Sequence, residues 1–289
     1  MSWEFSAVSL KVLFFLAVAV SIGGLATMAI TRQSPSLVKW LAGYTIIGAG
    51  VALMTIWLQF AVQIGAFNED GLSGIFDRDI ALMLLDSNVG IGSYYRTVAT
   101  LLILAAAARC YTRCDLTKSS IGLVVAGSLL LAYSYSVMGH VSELGGLAKI
   151  AITLHIIAIS WWSGSLVPLQ IAQRKLTVQA TQQLMERFGL VAQVIIAVLI
   201  ASGGYLLFEL VGSVERMLTT PYGQALSVKL GLVIVMLSLG ALNKLRLVPQ
   251  LTQANGIKNL TRAINIEMTL AIVIISVTAY FTTVIGPGY

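Results

Sequence analysis

Eight long apolar runs leave this chain almost nowhere to fold except inside a lipid bilayer. They lie at roughly 7–30, 38–65, 92–112, 119–140, 148–171, 188–212, 223–246 and 264–285. A helix of about 20 mostly apolar residues crosses a hydrocarbon core of about 30 Å. The runs consume most of the 289 residues, so no separate soluble domain fits beside them and residues 1–289 are expected to form one domain. Barrel strands are short and alternate in polarity, whereas these runs are long and continuous. Backbone groups in lipid must be satisfied within their own segment, which makes each run a helix. The expected fold is all-α: a polytopic membrane protein with eight transmembrane helices. The first run lacks a sharply basic start and a small-residue cleavage site, so it reads as a retained helix.

The basic residues set the expected orientation. With the amino terminus outside, the inner side holds Arg32, Lys39, Arg109, Arg113, Lys118, Arg174, Lys175, Arg187, Lys244, Arg246, Lys258 and Arg262, which is 12 of 18. That bias predicts both termini outside. Most acids, among them Glu69, Asp70, Asp77, Asp79, Asp86, Glu143 and Glu215, fall on the outer side. The net charge of +6 is then a property of the inner rim. No basic cluster is interleaved with aromatics, which argues against nucleic acid as a partner.

The connection at 66–91 mixes Ile75, Phe76, Ile80, Leu82, Met83, Leu84 and Leu85 with Asp77, Arg78, Asp79 and Asp86. This mixture predicts a short interfacial helix, either a cover over the outer mouth or an ordinary connector. Cys110 and Cys114, four apart, share a helix face near the inner end of the third run. They read as reduced thiols, since a third ligand for a soft metal is missing nearby.

An ionisable group within a membrane span is costly and marks a functional site by default. The chain has two histidines, His140 and His155, placed by the hydropathy pattern at the outer ends of the fourth and fifth runs. A short turn through Gly145 and Gly146 joins these runs, so they pack as antiparallel neighbours and the two imidazoles can meet. Met138 lies at the same end. Two imidazoles and a thioether suit Cu(I), whereas Mg²⁺ or Ca²⁺ would want several carboxylates. Two other readings stand beside this one. Each histidine can bond a neighbouring serine or carbonyl, or the pair can hold a haem as axial ligands in an electron carrier.

Trp162 is seven residues beyond His155 on the same helix stripe and is placed to floor such a site. Ser163, Gly164 and Ser165 permit close helix approach, and Pro168 is tolerated as a kink. Arg96, Glu209, Lys229 and Glu267 are further polar intrusions. Lys229 is expected either to snorkel outward or to pair with Glu209. Glu267, near the expected start of the last span, reads as a helix-dipole cap.

Gly139-His140, His155, Trp162, Gly164 and Pro168 together resemble the central signature of the CopD family of bacterial copper-resistance inner-membrane proteins (PcoD/YebZ/YcnJ type). Ser87, Gly90 and Arg96 resemble its entry to the third helix. Arg187-Phe188, Ser202-Gly203, Thr220, Tyr222-Gly223, Lys229, Asn243 and Pro249 resemble later blocks, so the likeness spans about 87–285. Relatives often carry a histidine in the first helix, where this chain has Lys11-Val12-Leu13-Phe14-Phe15, and Ser165 replaces the second glycine of a Trp-x-Gly-Gly motif. The resemblance implies a multi-pass protein of the bacterial inner membrane with periplasmic termini. It implies movement of copper toward the cytoplasm, with a small periplasmic copper carrier of the CopC type as partner. It also implies no enzymatic activity; the chain has no phosphate-cradling glycine loop. A non-transporting membrane partner of such a carrier is the remaining alternative.

Overall fold

The computed structural model describes residues 3–31, 35–68 and 71–286, the side chains at 71, 72 and 140 excepted. Arg32, Glu69 and Asp70 therefore lie outside the described residues. Ten α-helices follow one another: α1 Trp3–Thr31, α2 Pro35–Asn68, α3 Arg78–Leu85, α4 Asn88–Arg113, α5 Lys118–Tyr133, α6 Gly146–Lys175, α7 Val178–Val211, α8 Val214–Thr219, α9 Pro221–Leu242 and α10 Gly256–Tyr280. All but α3 and α8 belong to the eight spans that are long and apolar enough to cross a membrane. No strand occurs among the described residues. Eight crossings bring residues 3 and 286 to one end of the bundle, here the terminal end; the other is the basic end.

Local chemistry sets where the helices begin. Ser87, Thr117, Thr177 and Thr220 each stand before a helix, and their hydroxyls accept from Val89, Ser120, Ala180 and Gly223 N–H groups at 3.0–3.3 Å. Such caps satisfy donors that would otherwise be orphaned at a helix start. Pro221 follows Thr220 at the first position of α9, where a missing N–H costs nothing.

Two helices begin earlier than hydropathy suggests. α7 starts at Val178 and α10 at Gly256, because their first turns are polar and project beyond the apolar layer. The fourth span differs in the opposite sense. α5 ends at Tyr133, with a 3-10 turn to Ser136, so the span stops before residue 140. Gly139 takes φ 67°, a backbone conformation that glycine adopts without cost.

Helix α1 forms the centre and packs against α2, α6 and α10. Phe14, Leu25 and Met28 are among its fully buried side chains. Its crossing with α6 is backbone on backbone. A methyl group added to Gly164 would overlap the Ala19 carbonyl of α1, and one added to Gly23 would overlap Gly164. Small residues at such a crossing replace hydrophobic collapse as the source of packing in lipid. Four residues on, Pro168 lies inside α6 and has no N–H to offer the Gly164 carbonyl. The Tyr44 hydroxyl of α2 donates to that carbonyl at 3.2 Å. The proline, the glycine and the tyrosine thus hold α1, α2 and α6 together at one point.

The connection after α2 contains a 3-10 turn, Gly71–Phe76, and then α3. Asp77 caps α3, accepting from Asp79 and Ile80 N–H groups at 3.0 Å each. Leu84 packs with Phe60 and Ile64 of α2. The short helix therefore leans on α2 and α4, while Phe76, Leu82 and Met83 stay exposed.

Replacing Gly164 by leucine should lower stability by about 1–3 kcal/mol or more, the usual cost of overpacking. Gly50→Leu is the control, since nothing lies within 4 Å of a Cβ built there. Chemical denaturation of both variants in detergent, compared with the parent, measures the difference.

Candidate metal centre

His155 lies nine residues beyond Gly146 on α6, so about 14 Å along the helix from its start. Its ring is turned toward α7. Nδ1 is 3.4 Å from the Ser202 hydroxyl. That hydroxyl donates its one proton to the Val198 carbonyl at 2.6 Å. Ser202 is then left to accept, which favours the tautomer protonated at Nδ1 with the lone pair on Nε2; the ring also bonds the Leu199 backbone. A neighbour that fixes the tautomer in this way is what a metal-ligating histidine requires. Gly203 leaves room for the ring: a Cβ there would stand 3.1 Å from Cε1 and 3.3 Å from Nδ1.

The other two predicted donors come from the segment after α5. His140 opens a 3-10 turn, His140–Glu143, which packs on α6. Hydropathy placed this histidine inside the fourth span; the early end of α5 places its backbone in the connection instead. Its side chain lies outside the described atoms. Met138 rests on α4, where a side chain built on Gly92 would overlap its Sδ and Cγ atoms. The thioether and the His155 ring are thus held against different helices. Among the described residues no group of three or more His, Cys, Asp and Glu gathers as a metal site. Cys110 is buried and Cys114 partly exposed, both as free thiols.

Trp162 is buried on α6, and its ring meets the Cβ position of Gly240 on α9 at 3.4 Å. Trp161 beside it stacks on Phe188 of α7, with ring centroids 4.9 Å apart. Gly164 is occupied by the crossing with α1.

Arg96 is 8% exposed and has an unusual setting for a guanidinium in a membrane span. It lies between two rings, with Cζ 4.7 Å from the Phe14 centroid and 4.9 Å from that of Tyr135. Nε donates to Ser134 Oγ at 3.2 Å. The aromatic faces supply the negative potential that a carboxylate would otherwise provide. Lys11 is its charged neighbour and donates to the Thr282 carbonyl at 3.1 Å. Lys229 sits over the Phe281 ring, with Nζ 5.8 Å from the centroid, and is an electrostatic neighbour of His155. Of the two readings of Lys229, the pairing with Glu209 is not made. Glu209 is exposed and bonds Tyr205 one turn back, facing away.

Sequence reading passed over Lys11, yet its place forms a pattern with the others. Lys11, Arg96 and Lys229 each stand eight residues into α1, α4 and α9, and all three helices start at the terminal end. With His155 they make one layer about 12–14 Å below that end. Among the described residues no carboxylate pairs with any of the three cations. Equal spacing from three helix starts was the available signal, but only correct helix boundaries reveal it.

Glu267 also departs from expectation. Because α10 begins at Gly256, it lies three turns into the helix and is 3% exposed, so it does not cap the start. It accepts from Asn243 Nδ2 at 2.8 Å. Asn243 opens a π-helical turn, Asn243–Leu247.

Comparison with known proteins gives this arrangement its setting. Residues 2–150 match the family described as copper resistance protein D-like, N-terminal domain, and residues 182–281 match copper resistance protein D. The chain belongs to the copper resistance protein D (CopD) family. It is a copper-related, multi-pass membrane protein. Among curated proteins it is similar to the copper transport protein CutJ of Bacillus subtilis (strain 168), with 28% identity over 252 residues, which is 84% of this chain and 45% of the relative. The chain therefore spans a little under half the length of that protein. No solved structure matches it.

Arg96→Lys should cost about 1 kcal/mol or more, because a lysine ammonium cannot lie flat between Phe14 and Tyr135. A lower melting temperature in detergent is the expected result; an unchanged one would mean that the stacking contributes nothing.

Proposed function

We propose that this chain conducts copper, as Cu(I), across the bacterial inner membrane from the periplasm toward the cytoplasm. The basic bias of one end supports an orientation with the terminal end outside. In this reading copper arrives at the terminal end, delivered by a periplasmic carrier of the CopC type. It passes Met138, His140 and His155 and moves inward along α6 past Trp162. The protein carries out no chemical transformation of its own.

The observation that carries this reading is the His155 ring. Its Nδ1 is engaged by Ser202, and its Nε2 is left as a donor within a membrane span. Family membership supplies the metal. Lys229, the electrostatic neighbour of His155, works against tight binding of another cation there. Weak binding suits conduction, because an ion that enters must also leave.

Purified protein loaded with Cu(I) tests the reading. Copper content should fall about tenfold or more in His155→Ala, the scale on which metal sites respond to perturbation. His140→Ala should fall less, since its backbone stands in a 3-10 turn rather than on a span. Equal copper in parent and both variants refutes the reading. A Soret band in the purified parent, lost in both variants, would replace it with the haem-binding electron carrier.

A further inference from the structure

The half of the bundle toward the basic end contains one buried acid that copper ligation does not use. Glu267 is 3% exposed on α10 and meets no cation among the described residues. A bare carboxylate in such a place is very costly, and the usual outcome is that it takes up a proton. Its partner shows the complementary defect. Asn243 is 9% exposed; Nδ2 donates to Glu267 Oε1 at 2.8 Å, yet Oδ1 is buried with no partner. A buried acceptor without a donor costs about 1–3 kcal/mol. One proton removes both defects. A carboxylic acid facing a carboxamide accepts one hydrogen bond from the amide and returns one to the amide oxygen.

We propose that Glu267 and Asn243 form a proton-binding site, in which Glu267 carries a proton donated to Asn243 Oδ1 and gives it up when a monovalent cation passes. One proton leaves to water at the basic end as one cation arrives, so the local charge is unchanged. The place suits the role. Trp162, seven residues beyond His155 and so about 10 Å further along α6, converges with Glu267 on Gly240. The Cβ position of Gly240 lies 3.4 Å from Trp162 and 3.7 Å from Glu267 Oε1. The π-helical turn at Asn243 is a backbone feature frequent at functional sites.

Neighbouring groups leave the proton to this pair. From α9 and its π-helical end, Asn243 faces Glu267, while Lys244 turns to the Gly189 carbonyl of α7 at 3.3 Å. From α6, Gln170 bonds Asn265, and Gln173 Oε1 accepts from Thr261 at 3.0 Å, while Gln173 Nε2, an amide donor that carries no titratable proton, is buried without a partner. From α1, Lys11 is taken up at the terminal end with Thr282. Among the described residues no charged side chain acts on Glu267.

Infrared spectroscopy of the purified, copper-free protein tests the site directly. The parent should show a protonated-carboxyl C=O band at neutral pH that is absent from Glu267→Gln, whose amide preserves both hydrogen bonds. In Asn243→Leu the band should move to higher frequency, because its acceptor is gone. A parent spectrum without that band, or one matched by Glu267→Gln, overturns the proton site. The link to transport rests on the copper reading above and is measured separately. Cu(I) uptake into proteoliposomes should respond to an imposed pH gradient in the parent and lose that response in Glu267→Gln. An unchanged response in the variant overturns the coupling. Absence of uptake by the parent sinks the copper reading, while the infrared band still decides the proton site.

Discussion

The contact on which the bundle depends is the bare backbone crossing of α1 and α6. Gly23 and Gly164 bring two peptide chains together without side chains between them. In lipid, apolar side chains gain little by meeting each other rather than acyl tails, so close backbone packing carries much of the association. Pro168 opens the α6 hydrogen-bond ladder at that height, and Tyr44 closes it from α2. The break in one helix becomes a bond between helices. α1 is thereby fixed at the centre, and α6, which carries His155 and Trp162, is fixed against it. α9 by contrast lies at the periphery, with Val228, Ile234 and Val235 exposed to the surroundings.

Much of this was legible in the amino-acid sequence, and the reasons for the rest are specific. Long apolar runs are the strongest of helical signals, so the existence of eight spans was readable. Their ends were not. The first turns of α7 and α10 contain residues such as Gln182, Glu186, Lys258 and Arg262, which lower hydropathy without breaking a helix. A hydropathy window equates the end of the apolar layer with the end of the helix. That single confusion moved Glu267 from mid-helix to a supposed cap. His140 failed for the reverse reason: Tyr133 to Met138 remain apolar enough to look like a span, but the chain has already turned into 3-10 geometry, with Gly139 at positive φ.

The pairings between distant segments were less legible still. Arg96 meets Phe14 and Tyr135 across three helices. A charge in a predicted span invites a search for an opposite charge, and the chain has few acids to offer. The protein uses aromatic faces instead, for Lys229 over Phe281 as for Arg96. The Lys229–Glu209 pair, the alternative to snorkelling, was a fair use of charge arithmetic that the bond of Glu209 to Tyr205 defeats.

The two halves of the bundle are electrically unlike, and the order matters for any cation moving through it. Near the terminal end stand Lys11, Arg96 and Lys229, held by aromatic rings and carbonyls with no carboxylate paired to them among the described residues. Further in stands Glu267, with an amide partner and no cation. A monovalent cation entering from the terminal end first meets repulsion, offset locally by the His155 lone pair. It then approaches Glu267, the one buried carboxyl among the described residues. Coulomb energy in a low-dielectric interior falls slowly with distance, so the cation layer raises the energy of the ion well before contact. Glu267 lowers it again if its proton departs. In the proposed copper reading, an ion held at His155 before such a step would leave inward more readily than it stays. The sparse ligation around His155 and the lone acid beyond Trp162 are two parts of the same gradient.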